Sequence, residues 1–424
     1  MDLIETSIPK DVAISLHPTT TPTPPHQRLA RQQEFDRLVD SSHCDLADSV
    51  ALNVRTMLPA TLLGSGQAKR IADIVTELEV DVVFVDHALT PIQQRNLEKL
   101  WQAKVVDRTG LILEIFASRA RTREGVLQVQ LASLNYQVSR LVRSWTHLER
   151  QRGGFGFMGG PGERQIELDR RMIRQQIKQL EKELDQVCTR RATQRAGRNR
   201  KAIPTIALVG YTNAGKSTLF NRLTTATVHA DDQLFATLDP TLRQLTLGKN
   251  STIVISDTVG FVQALPHELV DAFRATLEEV MEADLILHVR DIADPESAAQ
   301  KQVVESTLAQ LGLDGDQAPP MVELLNKCDL APQIISKICD EFNGSRLAIS
   351  AISGSGIKEL RDFLLRWLRR DWVNQTLHIP AADGRRIAWC HQHGEVHSIE
   401  SEEDQIIIRL SLPPEFTTSG GHIP

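Results

Sequence analysis

Three observations in the 424-residue sequence predict an α/β protein. Short apolar runs of strand length alternate with amphipathic stretches, the pattern of buried parallel strands joined by helical crossovers. Between two such regions, apolar residues recur at helical spacing: Leu131, Leu134, Val138, Leu141, Trp145 and Leu148, then Ile166, Ile173, Ile177, Leu180, Leu184 and Val187, each set forming an a/d seam. Further on, Ile206-Ala207-Leu208-Val209 runs into a glycine-framed turn and then into Thr218-Leu219-Phe220-Asn221-Arg222-Leu223, which reads as strand, tight loop, helix. The expected units are an N-terminal α/β domain over 34–125, an antiparallel helical hairpin with a basic linker over 126–200, a mainly parallel sheet flanked by helices over 201–372, and a small β-containing appendage over 373–424.

Residues 1–33 include His17-Pro18-Thr19-Thr20-Thr21-Pro22-Thr23-Pro24-Pro25-His26, rich in proline and poor in residues to bury, and are expected to be a disordered tail. From Phe35 to Ala120 the alternation predicts a helix from Ala68 to Glu77, a buried strand at Val80–Val85, a helix from Pro91 to Trp101 and a strand at Ala103–Asp107. Gly64-x-Gly66 lacks the third glycine of a dinucleotide fingerprint and reads as a tight turn into a helix. The two heptad segments fold back on each other around Arg150-Gln151-Arg152-Gly153-Gly154-Phe155-Gly156-Phe157-Met158-Gly159-Gly160, a basic, glycine-rich tip with apolar residues suited to stacking on unpaired bases. A plain connecting loop is the competing reading. Between Arg140 and Lys201 there are 16 Lys/Arg against 7 Asp/Glu, a local charge of about +9 in a chain of net charge −6, which suggests a localised polyanion contact. At the far end, Gln405–Leu412 reads as a strand. Cys390-His391-Gln392-His393-Gly394-Glu395-Val396-His397 could place His391 and His393 on one strand face, but a solvated strand end is the simpler reading than a metal site.

The sequence contains no apolar stretch long enough to span a bilayer, and Met1-Asp2-Leu3-Ile4-Glu5 lacks the basic start of a secretory signal. The five cysteines are scattered, without a CxxC pair, as expected of reduced thiols. The expected location is cytoplasmic, with room for peripheral association at a membrane, and the expected free state is a monomer.

Gly210-Tyr211-Thr212-Asn213-Ala214-Gly215-Lys216-Ser217 is a phosphate loop: backbone N–H groups surround a phosphate, Lys216 adds a point charge, and the Ser217 hydroxyl reaches Mg²⁺. Ser251–Ser256 is a strand leading into Asp257-Thr258-Val259-Gly260, where the carboxylate holds the magnesium through water and the Gly260 N–H meets a γ-phosphate. Between them, Phe235-Ala236-Thr237-Leu238-Asp239 offers Thr237 as a second Mg²⁺ hydroxyl, with Thr241 competing for that role. Asn326-Lys327-Cys328-Asp329 selects the base, because the Asp329 carboxylate accepts from both guanine N1–H and the N2 amine, a pair adenine lacks. Ser350, Ala351 and Ile352 end a further strand whose backbone N–H groups face guanine O6. These motifs, in this order, define a P-loop GTPase domain. Phe261 follows the Asp257–Gly260 motif where Ras-type enzymes carry a water-orienting glutamine, so intrinsic hydrolysis is expected to be slow. The Asn213 amide oxygen is the candidate ligand of a K⁺ ion that would take the place of an arginine finger.

As a set these residues resemble the HflX family of GTPases, over roughly Leu52 to Trp372. The resemblance is carried by Asp107-Arg108-Thr109, Phe116–Gly125, Gly160-Pro161-Gly162-Glu163, Asp169-Arg170-Arg171, the phosphate loop, Phe235–Thr241, Ser256–Phe261 and Pro266-His267-Glu268-Leu269-Val270. Gln263-Ala264 and Val289-Arg290-Asp291-Ile292 depart from the commoner pattern. The resemblance implies binding to the large ribosomal subunit and its rRNA, with the glycine-rich tip near the peptidyl-transferase region and splitting of stalled or idle ribosomes. Some members of the family also hydrolyse ATP. Two rival readings are a GTP-controlled RNA-binding regulator with incidental turnover, and an ATP-fuelled enzyme acting on RNA structure.

Overall fold

The computed structural model describes residues 10–20, 24–143, 161–199, 203–224, 235, 241–248, 251–262, 279–315, 318–333, 346–402 and 404–416. Its N-terminal unit runs β1 (Val12–Thr19), α1 (Pro25–Asp40), β2 (Asp45–Asn53), α2 (Ser65–Glu77), β3 (Val82–Val85), α3 (Pro91–Trp101), β4 (Lys104–Asp107) and α4 (Arg108–Arg119). The strands form a parallel sheet of order β2-β1-β3-β4.

The expectation of a disordered tail over 1–33 is overturned here. Val12–Thr19 is an inner strand, paired with β2 on one side and β3 on the other, and Ala13, Ile14 and Leu16 are buried. Its polar positions misled because they are satisfied inside: Ser15 donates to Asp36 at 2.5 Å, and His17 lies 3.1 Å from the same carboxylate oxygen. The prolines act at element borders. Pro18 is at the strand's end, and Pro25 starts α1, where its missing N–H is no loss.

The elements expected between Ala68 and Asp107 form within two to three residues of the predicted bounds. Gly64 is the residue before α2, as a turn-to-helix glycine should be. In α3 the Thr90 hydroxyl and the Gln93 side chain cap each other's backbone N–H groups, which fixes where the helix begins.

Two long helices follow, α5 (Arg123–Arg143) and α6 (Pro161–Asn199). They run antiparallel, with Arg123 at the start of α5 3.6 Å from Glu183 in the later part of α6. On α6, Ile173, Ile177, Leu180, Leu184 and Val187 are half-buried while most of their neighbours are exposed, so the seam lies on the expected face. The glycine-rich tip lies outside the described residues.

The nucleotide domain contains β5 (Thr205–Gly210), α7 (Lys216–Thr224), β6 (Thr241–Gly248), β7 (Ser251–Asp257), β8 (Leu285–Asp291), α8 (Ser297–Gln310), β9 (Met321–Asn326), β10 (Arg346–Ala348) and α9 (Ile357–Leu368). Its sheet has the order β10-β9-β8-β5-β7-β6, parallel except for β6. Ile206, Leu208, Leu287, Val289 and Leu324 are fully buried on these strands, which accounts for their unbroken apolar runs.

The appendage is an antiparallel sheet of β11 (Val373–Pro380), β13 (Gln405–Leu412) and β12 (Glu395–Glu402), covered by α10 (Gly384–His393). His391 and His393 therefore sit at a helix end, not on a strand. Cys390 is buried beneath them, Asp383 caps the helix, and no metal-binding group of acidic, cysteine or histidine side chains exists among the described residues. No described helix is long and apolar enough to cross a membrane.

Candidate nucleotide site

The C-terminal ends of β5, β7 and β9 meet at one edge of the sheet, and the loops leaving them build the site. The phosphate loop leaves β5 and wraps the N-terminus of α7, where backbone N–H groups and the helix dipole favour an anion. Lys216 is buried and donates to the carbonyls of Gly210 at 3.0 Å and Tyr211 at 2.8 Å. Burial lowers its pKa to about 8, only partly offset by Asp257. An ammonium so poorly compensated, with two of its three donors held by backbone carbonyls, suits an incoming polyphosphate.

The two glycines of the loop are required for reasons different from clearance of the phosphate. A Cβ on Gly210 would lie 2.2 Å from the Val289 carbonyl oxygen, and one on Gly215, which has a φ of +92°, would lie 2.3 Å from Asn326 Nδ2. Asn213 has a φ of +58°, a left-handed conformation that asparagine tolerates better than most residues.

The Ser217 hydroxyl donates to Asp257 Oδ2 at 2.8 Å. A hydroxyl and a carboxylate so placed are hard oxygen donors of the kind Mg²⁺ takes, so this pair fits the ion. Gly260 packs on the phosphate loop so closely that a Cβ would stand 3.1 Å from Lys216 Nζ and 2.9 Å from Thr212 Cγ2. The next residue joins the loop directly: Phe261 N–H donates to Gly210 O at 3.1 Å, and its carbonyl accepts from Thr212 N–H at 2.8 Å. Phe261 is buried, so it contributes packing and backbone pairing and no side-chain polar group.

Some residues placed in the nucleotide motifs turn their side chains elsewhere. Thr258 Oγ1 donates to Leu208 O at 2.6 Å, Val259 joins the N-terminal domain's apolar core, and the Tyr211 hydroxyl donates to Glu34 on α1. Phe235 is 2 % exposed and packs edge-on against Phe116 of α4, with ring centroids 4.6 Å apart. Ala236, Thr237, Leu238 and Asp239 lie outside the described residues.

In the base-selecting loop, Lys327 has a φ of +62° and its ammonium lies 2.7 Å from Asp291. Cys328 is buried, with its N–H on Ile349 O at 3.2 Å, and Asp329 is exposed at the rim. Asn326 is internal: it donates to Ala214 O at 2.8 Å and accepts the Ala351 N–H at 3.0 Å. Ser350 N–H is likewise engaged, with Ser355 O at 2.9 Å, and Ile352 is 72 % exposed. The Ser350 and Ala351 N–H groups thus take part in bonds that hold this loop against Ser355 and Asn326. Glu34 and Phe116, which touch Tyr211 and Phe235, were missing from the sequence-based site because they lie about 180 and 120 residues away in another domain.

A parallel sheet with a phosphate loop, an Asp257–Gly260 motif packed on it and an Asn326–Asp329 base loop defines the class as a P-loop GTPase. Three family models match: GTP-binding GTPase N-terminal over residues 30–117, GTP-binding GTPase Middle Region over 119–198, and 50S ribosome-binding GTPase over 205–327. The GTPase HflX of Magnetococcus marinus is 48 % identical over 418 residues, covering 97 % of this chain and 95 % of that one. The GTPase HflX of Escherichia coli (strain K12) is 43 % identical over 384 residues, covering 90 % and 89 %. The chain belongs to the HflX GTPase family, and it is a GTP-binding, GTP-hydrolysing switch.

Proposed function

We propose that this switch binds the large ribosomal subunit and its rRNA through the basic hairpin and glycine-rich tip, and that the GTP-bound form splits stalled or idle ribosomes. One observation carries the reading. Phe235 and Val259, from the loops on either side of the phosphate site, are buried in one apolar core with Phe35, Leu38 and Val39 of α1 and Ile112 and Phe116 of α4. Ordering of those loops by a γ-phosphate would be felt by the domain that bears the hairpin, and loss of the phosphate would release it. The match to a 50S ribosome-binding GTPase model supports the choice of partner.

In this reading Lys216 neutralises the β- and γ-phosphates, Ser217 and Thr237 ligate Mg²⁺, Gly260 meets the γ-phosphate, and Asn213 ligates K⁺. Asp329 selects guanine. Phe261 orients no water, so turnover is slow until the particle supplies that order. The test is GTP turnover at fixed protein concentration with and without purified large subunits. Strong acceleration is expected. No acceleration with binding intact would favour the RNA-binding regulator whose turnover is incidental.

A further inference from the structure

Glu34 belongs to no nucleotide motif, and its helix α1 packs on the N-terminal sheet. Yet its carboxylate is held from two sides, accepting from the Tyr211 hydroxyl of the phosphate loop on one oxygen and from Arg108 at the start of α4 on the other.

Each side is anchored in turn. Tyr211 offers its carbonyl to Lys216 Nζ and is bridged to Phe261, so it touches both the phosphate-binding cation and the γ-phosphate loop. Arg108 also donates to Asp86 Oδ1 at 2.8 Å, and Asp86 Oδ2 accepts from Arg31 at 2.7 Å. Beside Arg108, Asp107 caps α4 through the Gly110 N–H at 2.9 Å. It also accepts the Tyr136 hydroxyl at 2.5 Å and Arg140 at 2.6 Å, both from α5. The side chains of Asp86 and Asp107 are each 2 % exposed and that of Arg108 is 6 % exposed. Buried, charge-assisted bonds of this kind enforce one geometry, because any displacement leaves an uncompensated charge out of water.

We propose that Glu34 is a positioning residue shared by the GTP site and the helical hairpin. It holds Tyr211, and through the Tyr211 carbonyl Lys216, in register with Arg108 and Asp107. A shift of the phosphate loop on GTP binding is thereby carried to α5, and a shift of the hairpin is carried back to the loop, as linkage requires. The inference rests on the reading that hairpin and GTP site are parts of one switch. A purely structural Glu34 would do no more than neutralise Arg108, and its loss would weaken the fold without altering the dependence of the hairpin on nucleotide.

The test uses full-length protein and the variants Glu34→Gln and Tyr211→Phe, the second of which leaves the Glu34–Arg108 pair in place. Amide hydrogen exchange across residues 126–140 is compared between the GDP complex and the complex with a non-hydrolysable GTP analogue. A nucleotide-dependent difference is expected in the wild type and is expected to shrink about five-fold or more in both variants. The ratio of large-subunit Kd values with GDP and with the analogue should fall towards one in parallel. A ratio is read because it cancels any uniform change in folding or nucleotide affinity. Variants that keep the wild-type difference while losing only melting temperature would overturn the proposal, as would a wild type with no difference. If the subunit does not bind at all, the ribosome reading fails while the exchange data still decide the role of Glu34.

Discussion

Asn326 donates a 2.8 Å hydrogen bond to the carbonyl of Ala214, tying the base-selecting loop to the phosphate loop. Its other amide atom takes the Ala351 N–H, so one side chain joins three segments of the site. Asn326→Ala leaves a buried carbonyl and a buried N–H unpaired, at about 1–3 kcal/mol each. The expected result is a fall in GTP affinity of about 30-fold or more with a lowered melting temperature, measured by calorimetry. Unchanged affinity would mean that the two loops hold their pose without this link.

Asp329 is exposed, and in the proposed function its carboxylate meets a base that brings paired donors. Asp329→Asn converts one acceptor into a donor, which suits the O2 carbonyl of xanthine better than the N2 amine of guanine. GTP affinity should drop about 100-fold while xanthosine triphosphate gains, and in the unaltered protein GTP should displace ATP in competition. Equal binding of ATP and GTP by the unaltered chain would remove the assigned role.

Much of this was legible in the sequence where chemistry or periodicity is local. The phosphate loop, the α3 helix and the α6 seam are short-range patterns, and each forms where expected. What escaped is long-range. Val12–Thr19 is hidden by the prolines that follow it and by Ser15 and His17, whose burial is made tolerable by Asp36 on the next helix together with Ser49 and Asp86. Tyr211 and Phe235 read as nucleotide residues because they lie inside motifs. Their side chains are instead claimed by Glu34 and Phe116, and no spacing rule relates residues so distant in sequence.

Turnover should depend on the monovalent cation if Asn213 ligates K⁺. The residue sits in the phosphate loop in a left-handed conformation, and a cation held there would serve the phosphates of the proposed GTP complex. GTP hydrolysis in K⁺ should exceed that in Na⁺ at equal ionic strength by about ten-fold, and Asn213→Ala should remove most of the difference. Equal rates in the two salts would leave Asn213 with no part in catalysis.

His288 on β8 makes the nucleotide domain acid-sensitive. Burial lowers its pKa to about 4; nearby Glu323 opposes the shift, and Arg290, Lys301 and Lys216 reinforce it. Unfolded histidine titrates near 6.5, so between 6.5 and 4 the unfolded chain binds a proton that the folded chain refuses, and stability falls with pH, by up to about 3 kcal/mol. His17 in the N-terminal sheet behaves oppositely. Burial alone would lower its pKa, but Asp36 and Asp86 outweigh burial and raise it, so its contribution is full below 6.5 and is lost as pH rises through the folded value. Hydrogen exchange followed from pH 7 to pH 5 should show β8 losing protection relative to β1. A uniform change in both sheets would contradict the assignment.

Phe116 gives the loop at Phe235 its anchor, and removing that anchor should separate GTP from GDP. The two rings meet edge-on in a core shared with Val259 and Val262, from the loop on the other side of the phosphate site. Phe116→Ala removes a fully buried ring, at about 3–5 kcal/mol of stability, and leaves Phe235 without its ring partner. A loop no longer held must be ordered by the ligand itself, at about 1–2 kcal/mol for each residue fixed. Only the triphosphate calls on that loop in the proposed switch, so affinity for a non-hydrolysable GTP analogue should fall about ten-fold while that for GDP changes by less than about two-fold. Phe116→Leu, which keeps most of the volume, should recover much of both. Equal losses for the two nucleotides would mean that the Phe235 contact stabilises the fold and takes no part in sensing the γ-phosphate.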